Sequence, residues 1–437
     1  MKNYVMADLS REEIRKLCLR NPVYDPELFK TCQEIFKRIA EDGDQAIREY
    51  TRRYDNVDIE NCRVLADEFQ QAQGKVSGEV VAALEKAAQN IRKFHGSQQL
   101  SEETVEVQEG VICWRATRPI NAVGLYVPGG TAVLPSTVLM LGVPAKLAGC
   151  SRVVLCVPPS ADGSVDPVVL VAAQLSGIRQ VFKVGGAQAI AAMALGTSSV
   201  PRVEKILGPG NRVVQTAKLL ATFHGVSIDM VAGPSEVLVI ADESASPRIV
   251  AGDLISQAEH GADSQVVLVS TSPELLEAVG DEVTRQLESL PRRQLAEQSI
   301  EMSFGLLASS LEEAFDFSNR YAPEHLILNV KKARQAAGRV ESAGSVFVGA
   351  WSPEVAGDYA SGTNHTLPTS GMAKSVSGVS LDSFVKKITF QELTREGLSD
   401  LASTLGILAN LESLDGHARA VRFRLDKLED LDDGKTI

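Results

Sequence analysis

The sequence lacks an excess of positive charge. Its 437 residues include 44 Lys and Arg against 56 Asp and Glu, which gives a formal net charge of −12. Proteins that bind nucleic acids without sequence preference rely on basic patches, and polybasic segments are attracted to anionic lipid surfaces. The composition therefore weighs against a nucleic-acid partner and against contact with a membrane surface.

Long uninterrupted apolar runs are also missing. Residues 1–20 are polar and contain no apolar stretch typical of a signal peptide. The longest uncharged stretch runs from Pro119 to Ala145, but four prolines and a Gly-Gly pair interrupt it. Because proline breaks a helix interior, we predict strand, turn and buried helix in this stretch rather than a membrane span. A cytoplasmic location is the expectation.

Cysteine and histidine are scarce, with six of each. The cysteines form no C-x-x-C pair and no regular framework, which is typical of reduced thiols in a cytosolic protein. The chain also lacks G-x-G-x-x-G, the fingerprint of many dinucleotide-binding folds. Neither a disulfide scaffold nor an ordinary dinucleotide motif is therefore expected.

A regular alternation of strands and helices is present from residue 121 onwards. The strands are short and rich in Val, Ile and Leu, a pattern typical of parallel sheets that are covered on both faces. We predict an α/β fold with two parallel sheets, one before about residue 235 and one after it. The predicted strands are 122–127, 152–157, 180–184, 203–207, 237–240, 265–269, 304–308, 326–329 and 345–348.

The two ends of the chain follow other patterns. Residues 26–55 and 78–94 have apolar residues at helical spacing, and residues 104–115 have the pattern of a β-hairpin. Residues 383–390 alternate like a strand, and residues 393–432 predict two charged helices. This last segment is too thin to form a core alone, so we expect it to pack on another body such as a second subunit.

Three glycine turns follow predicted strands and precede predicted helices, at Tyr126–Thr131, Val184–Gln188 and Gly208–Asn211. Open parallel sheets bind ligands at the carboxyl ends of their strands, and the N–H groups at helix starts favour anions such as phosphate. Each turn alone also suits a tight connection between a strand and a helix. The pattern therefore leaves a nucleotide site and a purely structural role open.

Five further segments carry polar side chains that could perform chemistry, each with a plain structural alternative. Ala232–Glu236 is either a cleft floor between two sheets or a linker. Gln257 and His260 share a face in the last turn of a helix expected over 247–260, where the helix dipole favours a cation. Glu324 and His325 suit proton transfer or a solvent-facing turn. The segment 357–368 is expected to be a loop, and 412–417 a helical corner.

Together these segments resemble the histidinol dehydrogenase family, from about residue 10 to about residue 425. The pieces that carry the resemblance are Asp229–Asp242, Gln257–Gly261, Tyr321–Leu326 and Gly357–Pro368. The resemblance implies an NAD-dependent four-electron alcohol dehydrogenase that uses one Zn²⁺ per active site. This enzyme oxidises L-histidinol to L-histidine through bound L-histidinaldehyde and reduces two NAD, as the last step of histidine biosynthesis. It is also expected to be a homodimer whose subunits share the active site.

The resemblance implies a role for individual residues by their position. The implied catalytic pair is Glu324 and His325. The implied metal ligands are Gln257, His260, Asp358 and His417. The implied substrate contacts are Ser235, Gln257, His260, His325, Asp358, Glu412 and His417, with Glu412 and His417 contributed by the other subunit. The implied NAD contacts are Tyr126, Gln188 and Asn211.

The expected fold consists of two incomplete Rossmann-like domains with a helical N-terminal region and a helical C-terminal dimerisation tail. Residues 1–20 form an N-terminal arm in this scheme, and residues 382–437 form the tail that reaches the partner subunit. Residues 21–120 and 236–381 form the first domain, with the metal and catalytic residues. Residues 121–235 form the second domain, with the NAD contacts.

Three other functions remain open from the sequence. One is a family member that oxidises a different primary alcohol to its carboxylate, and another is a two-domain binding protein without catalysis. The third is an aldehyde dehydrogenase with a thiolate nucleophile, which needs a cysteine in an activating polar loop. Cys113, Cys150 and Cys156 lie in or beside apolar strands, which argues against that third function.

Overall fold

The computed structural model describes residues 1–20, 25–99, 101–129 and 133–429. The chain divides into two compact units, a larger one of residues 1–98 and 120–384 and a smaller one of residues 99–119 and 385 onwards. The larger unit contains two parallel sheets with helices around them, so the predicted α/β fold class is confirmed.

Strands alternate with helices through the larger unit, as the sequence predicts, and the smaller unit contains a three-stranded sheet of its own. The strands are β1 Lys2–Val5, β2 Thr104–Gln108, β3 Val111–Pro119, β4 Ala122–Tyr126, β5 Arg152–Val157, β6 Gln180–Lys183, β7 Lys205–Leu207, β8 Ser227–Ile228, β9 Glu236–Ala241, β10 Gln265–Ser270, β11 Phe304–Leu307, β12 His325–Asn329, β13 Ser345–Val348 and β14 Val385–Leu393. Every residue of β4, β9 and β12 is buried, because helices cover both faces of these strands.

The helices connect the strands and cover the sheets. They are α1 Arg11–Leu17, α2 Pro26–Asp42, α3 Asp44–Asp55, α4 Ala66–Lys75, α5 Gly78–Gly96, α6 Pro135–Ala148, α7 Pro167–Leu175, α8 Gly186–Leu195, α9 Arg212–Phe223, α10 Pro247–Ala258, α11 Pro273–Leu287, α12 Arg293–Glu301, α13 Leu311–Tyr321, α14 Ala333–Ala336, α15 Glu354–Tyr359, α16 Arg395–Leu411 and α17 Asp415–Glu429. Within the described ranges, none of these helices has the length and apolar character needed to cross a bilayer.

The two parallel sheets have different strand orders. The first has the order β6-β5-β4-β7-β8 and the second the order β1-β11-β10-β9-β12-β13. The short edge strand β8 and the N-terminal strand β1 were not predicted. Strand β1 pairs in parallel with β11, with Lys2 opposite Phe304, so part of the expected N-terminal arm is an edge strand of the second sheet.

The helices α2 to α5 pack on the first sheet. Phe36 and Ile39 of α2 share a buried cluster with Phe182 of β6, and Ile91 of α5 shares another with Leu125 of β4. The sequence-based scheme grouped this helical region with the second sheet instead. Helical periodicity shows which face of a helix is buried but not which sheet it covers, which explains the difference.

The smaller unit is an antiparallel sheet of order β14-β3-β2 followed by two helices. The predicted hairpin of β2 and β3 is present, and β14 pairs with β3 from Val385 opposite Pro119 to Leu393 opposite Val111. Helices α16 and α17 follow, with the predicted corner between them. Both helices expose large apolar side chains, including Ile407, Leu411 and Phe423.

A buried histidine near the end of α5 predicts acid sensitivity of the fold. His95 is 1% exposed, its Nδ1 lies 3.1 Å from Oε1 of Gln98, and its Nε2 has no hydrogen-bond partner in the described chain. Burial lowers the pKa of His95, and the Gln98 contact offsets this only in part. The unfolded chain, with a pKa of about 6.5, therefore takes up the proton first, so this contribution to stability is complete above about pH 6.5 and is lost below it.

We expect the free energy of unfolding to fall below pH 6.5 by at most about 1.4 kcal/mol per pH unit from this group. Urea unfolding of His95→Gln between pH 5 and 8 should show a shallower decline than the wild type. His224→Gln is the matched control, because His224 is exposed. Identical pH slopes for His95→Gln and the wild type would contradict this prediction.

Candidate active site

The polar residues predicted to carry chemistry meet at the amino ends of two neighbouring strands of the second sheet. Glu236 begins β9 and His325 begins β12, and the two strands pair in parallel with His325 opposite Val237. Glu324 precedes His325 and is equally buried, with 5% and 4% of the two residues exposed. The predicted solvent-facing alternative for this pair is therefore wrong.

The backbone of Glu236 anchors both side chains. Its N–H donates to Oε2 of Glu324 at 2.9 Å, and its carbonyl lies 3.2 Å from Nδ1 of His325. A proton on Nδ1 can also be donated to Oε1 of Gln257 at 3.1 Å. This arrangement favours the tautomer in which Nε2 of His325 is the acceptor. Nε2 is buried without a hydrogen-bond partner in the described ranges, so it is the nitrogen that can act as a base once the ring is neutral.

The side chain of Glu236 is itself held by Arg20. Nε of Arg20 lies 2.9 Å from Oε1 of Glu236, and both side chains are nearly buried. The guanidinium also lies over the ring of Tyr321 at 3.4 Å. The sequence reasoning missed Arg20 and Glu236 as supports of the site. They lie 216 residues apart, so no spacing along the chain could have paired them.

Buried carboxylates dominate the electrostatics around His325. Burial raises the pKa of Glu324 to about 8 and that of Glu354 to about 8. Burial alone would lower the pKa of His325, but the carboxylates of Glu354, Glu324 and Asp358 outweigh it and raise the pKa. Both carboxylate oxygens of Glu354 lack a hydrogen-bond partner among the described residues. A cation is therefore electrostatically favoured here, and its charge would favour release of the His325 proton.

Three of the predicted metal ligands lie around this pair. Helix α10 ends at Ala258, so Gln257 lies in its last turn and His260 in the following turn, outside the helix expected over 247–260. Gln257 is fully buried and its Nε2 has no partner in the described chain. Nδ1 of His260 lies 3.0 Å from the carbonyl of Ser256, which leaves its Nε2 for another contact.

Asp358 lies in the short helix α15, so the expectation of a loop throughout 357–368 is wrong at its start. Its Oδ1 lies 3.6 Å from Nε2 of His325. Burial would raise the pKa of Asp358, but His325, His365 and His260 outweigh it and hold the pKa below its ordinary value. Within the described chain, no three His, Cys, Asp or Glu side chains group as a metal site. The assignment of Gln257, His260 and Asp358 as metal ligands therefore stays a prediction.

His365 fixes the end of the helix that carries Asp358. Its Nδ1 lies 2.8 Å from the carbonyl of Asp358, and its Nε2 lies 3.0 Å from Oγ1 of Thr137. Burial lowers the pKa of His365. A neutral ring with both nitrogens engaged supports the site without acting as a base.

A cavity of about 570 Å³ opens beside this cluster. Ser235, His260, Glu324 and His365 line it, together with the turn Gly208–Asn211 from the first sheet. The segment Ala232–Glu236 therefore contributes to a cavity wall, as the cleft-floor alternative expected. The cavity lies between the carboxyl edge of the first sheet and the amino edge of the second.

A buried ion pair holds the turn Gly208–Asn211. Nζ of Lys218 lies 2.5 Å from Oδ1 of Asp229 and donates to the carbonyl of Gly208 at 2.9 Å, while the N–H of Gly208 donates to Asp229 at 2.7 Å. Gly208 has a φ of +130°, and a Cβ there would overlap the carbonyl of Tyr126. Glycine and the buried pair therefore fix the backbone of this turn together.

A second cavity, of about 700 Å³, lies at the carboxyl edge of the first sheet. Tyr126, Gln188 and Asn211 line it, so the three glycine turns do converge. Tyr126 accepts a hydrogen bond from the N–H of Gly186 at 3.0 Å, and Asn211 caps α9. Gln188 is 1% exposed, and its Nε2 has no partner in the described residues. Gly130 and Thr131 of the first turn lie outside the described residues.

The two remaining predicted site residues belong to the smaller unit. Glu412 follows α16 and His417 lies in α17, and both are exposed. Their assignment to a site shared between subunits stays a prediction.

The comparison with known proteins agrees with the resemblance. The family model described as histidinol dehydrogenase matches residues 19–425. The histidinol dehydrogenase of Bacteroides thetaiotaomicron is 50% identical over 420 residues, which cover 96% of this chain and 98% of that protein. The chloroplastic histidinol dehydrogenase of Arabidopsis thaliana is 50% identical over 98% of this chain and 92% of its own length.

A solved structure gives the same result. The crystal structure of histidinol dehydrogenase from Elizabethkingia anophelis superposes with a TM-score of 0.95 at 47% identity, over 98% of this chain and 99% of that one. The chain therefore belongs to the histidinol dehydrogenase family, and the prediction that it is an NAD-dependent dehydrogenase is confirmed.

Proposed function

We propose that the protein oxidises L-histidinol to L-histidine through bound L-histidinaldehyde and reduces two NAD, as the final step of histidine biosynthesis. The observation that carries this proposal is the buried Glu324–His325 pair beside the 570 Å³ cavity. Nε2 of His325 is buried and unpartnered in the described chain, and His325 directly follows Glu324, which lines the cavity. A family member that oxidises a different primary alcohol remains the alternative.

His325 acts as the general base in the first oxidation. Its Nε2 takes the hydroxyl proton of the primary alcohol while the carbon-bound hydrogen leaves as hydride to the first NAD. Glu324, in its ionised form, then accepts a proton from the water that adds to the aldehyde; because burial raises its pKa to about 8, the carboxylate is a stronger base than an exposed one. The proton on His325 passes to the former alcohol oxygen as the water adds, so His325 can accept a hydroxyl proton of the hydrate as the second hydride leaves to the second NAD. The resulting acid loses its remaining proton to solvent, and the product is the carboxylate.

The residues around the pair fit a zinc ion in their chemistry. Imidazole, carboxylate and amide oxygen are donors that zinc accepts, and Asp358 and the fully buried Gln257 both lie next to His325, at 3.6 Å and 3.1 Å from its ring nitrogens. Gln257, His260 and Asp358 would hold the ion together with His417 of the partner subunit. When bound, the ion would supply a fixed positive charge that orients the nitrogen atoms of the substrate.

The remaining site residues are proposed to bind the substrates. Ser235 and Glu412 contact histidinol together with the metal ligands and His325, and Tyr126, Gln188 and Asn211 contact NAD. The exposed apolar residues of α16 and α17 support a homodimer, because contiguous exposed apolar surface is usually covered by a partner. A tail of residues 382–437 that reaches the partner subunit and a cytoplasmic location are part of the same proposal.

The test is the stoichiometry of NADH formed by purified protein with limiting L-histidinol. We expect two NADH per histidinol and L-histidine as the product. A chelator should abolish the reaction, and added Zn²⁺ should restore it. One NADH with release of the aldehyde would contradict the two-step mechanism. Turnover of other primary alcohols but not histidinol would favour the alternative substrate.

A further inference from the structure

Asp55 is a carboxylate in the 700 Å³ cavity that no proposed role above uses. It lines the cavity together with Tyr126, Gln188 and Asn211. Its Oδ2 is fully buried and has no hydrogen-bond partner in the described ranges. A buried, unpaired carboxylate oxygen is costly, so an Asp at this place in the wall of a binding cavity points to a ligand that donates hydrogen bonds.

The position of Asp55 on its helix adds to this cost. It is the last residue of α3, and Asn56 follows with a φ of 57°. Negative charge is disfavoured at a helix carboxyl end, where the carbonyl groups point outward. Burial also raises the pKa of Asp55 to about 6. The fold places an acid where neither the helix nor the packing favours one, which is common at functional sites.

The charge of the whole cavity wall is negative. Besides Asp55, the described lining includes Asp166 and no Lys or Arg. Asp166 is already engaged, because its Oδ1 accepts the N–H of Val168 at 2.8 Å as the cap of α7. A ligand group that binds at Asp55 should therefore be a neutral donor such as a sugar hydroxyl, and a phosphate there would meet repulsion.

We propose that Asp55 accepts hydrogen bonds from the adenosine ribose hydroxyls of the dinucleotide and thereby selects NAD over NADP. The inference rests on the proposed binding of NAD in this cavity. Only the adenosine ribose distinguishes the two dinucleotides, because NADP carries a phosphate on its 2′ oxygen. Carboxylates are suited to ribose hydroxyls in other dinucleotide sites for the same reason.

The test compares Asp55→Asn with the wild type in steady-state assays with NAD and with NADP. We expect the KM for NAD to rise about tenfold, because a charge-assisted hydrogen bond becomes a neutral one. The KM for NADP should fall or stay constant, so the preference for NAD falls by tenfold or more. The kcat and the KM for histidinol should stay within about twofold.

Asp58→Asn is the matched control. Asp58 is three residues away and carries the same charge, but its side chain is 72% exposed and pairs with Arg52. Its substitution should leave both dinucleotide KM values unchanged. If Asp55→Asn prefers NAD over NADP as strongly as the wild type and Asp58→Asn do, the inference is wrong.

A second measurement separates this inference from the proposed reaction. Calorimetric binding of ADP-ribose and of its 2′-phosphate needs no oxidation of an alcohol. We expect the wild type to bind ADP-ribose more tightly than its 2′-phosphate. The variants Asp55→Asn and Asp55→Ser should lose that preference. If both Asp55 variants lose the preference for ADP-ribose but the wild type forms no NADH from histidinol, the proposed reaction is wrong and the role of Asp55 stands. Normal NADH formation with an unchanged preference in both variants would overturn the role of Asp55 alone.

Discussion

A His325→Asn variant is expected to lose activity by about 10²- to 10⁴-fold in both oxidations. Positioned proton transfer contributes about this much to an enzymatic rate, and Nε2 of His325, which has no hydrogen-bond partner in the described chain, is the proposed acceptor. Asn keeps a polar side chain that can contact the Glu236 carbonyl, but it cannot take a proton. The loss should therefore appear in kcat for histidinol and for histidinaldehyde, with little change in the unfolding transition.

Glu324→Gln separates the two steps. Gln keeps the shape of the Glu324 side chain but cannot activate water, so aldehyde oxidation should slow more than alcohol oxidation. Rates are measured with histidinol and with histidinaldehyde supplied separately, and His224→Asn provides the control for a histidine outside the site. Equal losses from Glu324→Gln in both steps, or near-normal activity of His325→Asn, would overturn the assigned roles.

A Lys218→Met variant is expected to lose about 3–5 kcal/mol of stability. The side chains of Lys218 and Asp229 are each 1% exposed, so removal of the ammonium leaves a buried carboxylate without its cation. The carbonyl of Gly208 also loses a donor. The turn Gly208–Asn211 should loosen, so the KM for NAD should rise in addition to the loss of stability.

Lys37→Met is the control with the same substitution. Lys37 forms an exposed pair with Glu41 at 3.9 Å, and exposed pairs contribute about 0–1 kcal/mol. Urea unfolding at pH 7 measures both variants. The double variant Lys218→Met/Asp229→Asn should be more stable than Lys218→Met alone, because the uncompensated charge is gone. A loss below about 1 kcal/mol for Lys218→Met would contradict the buried pair as a main support of the turn.

The alternation of strands and helices could be predicted because strands of a parallel sheet are buried on both faces. Such strands have continuous apolar sequences, and the bounds of β5 were predicted correctly from this pattern alone. Strands β1 and β8 lie at sheet edges, where one side is open and no apolar run is needed. Strand β8 has only two residues, so it leaves no pattern to read.

The site was predictable where its residues are neighbours in the chain. Glu324 and His325 are adjacent, and Gln257 and His260 lie one helical turn apart. Arg20 reaches Glu236 only through the tertiary fold, and Asp358 lies in a six-residue helix that is too short for a periodic pattern. Asp55 has no sequence signal at all, because its buried oxygen becomes unusual only once the cavity around it is known.

The opposed sheet edges at the 570 Å³ cavity have a consequence for ligand orientation. Helix α9 starts at the carboxyl edge of the first sheet and presents partial positive charge, whereas α10 ends at the amino edge of the second sheet and presents partial negative charge. The space between them is therefore polarised before anything binds. The backbone alone therefore orients a molecule that has an anionic end and a cationic end, with the anionic end toward the start of α9 and the cationic end toward the end of α10. The reverse orientation is disfavoured at both ends.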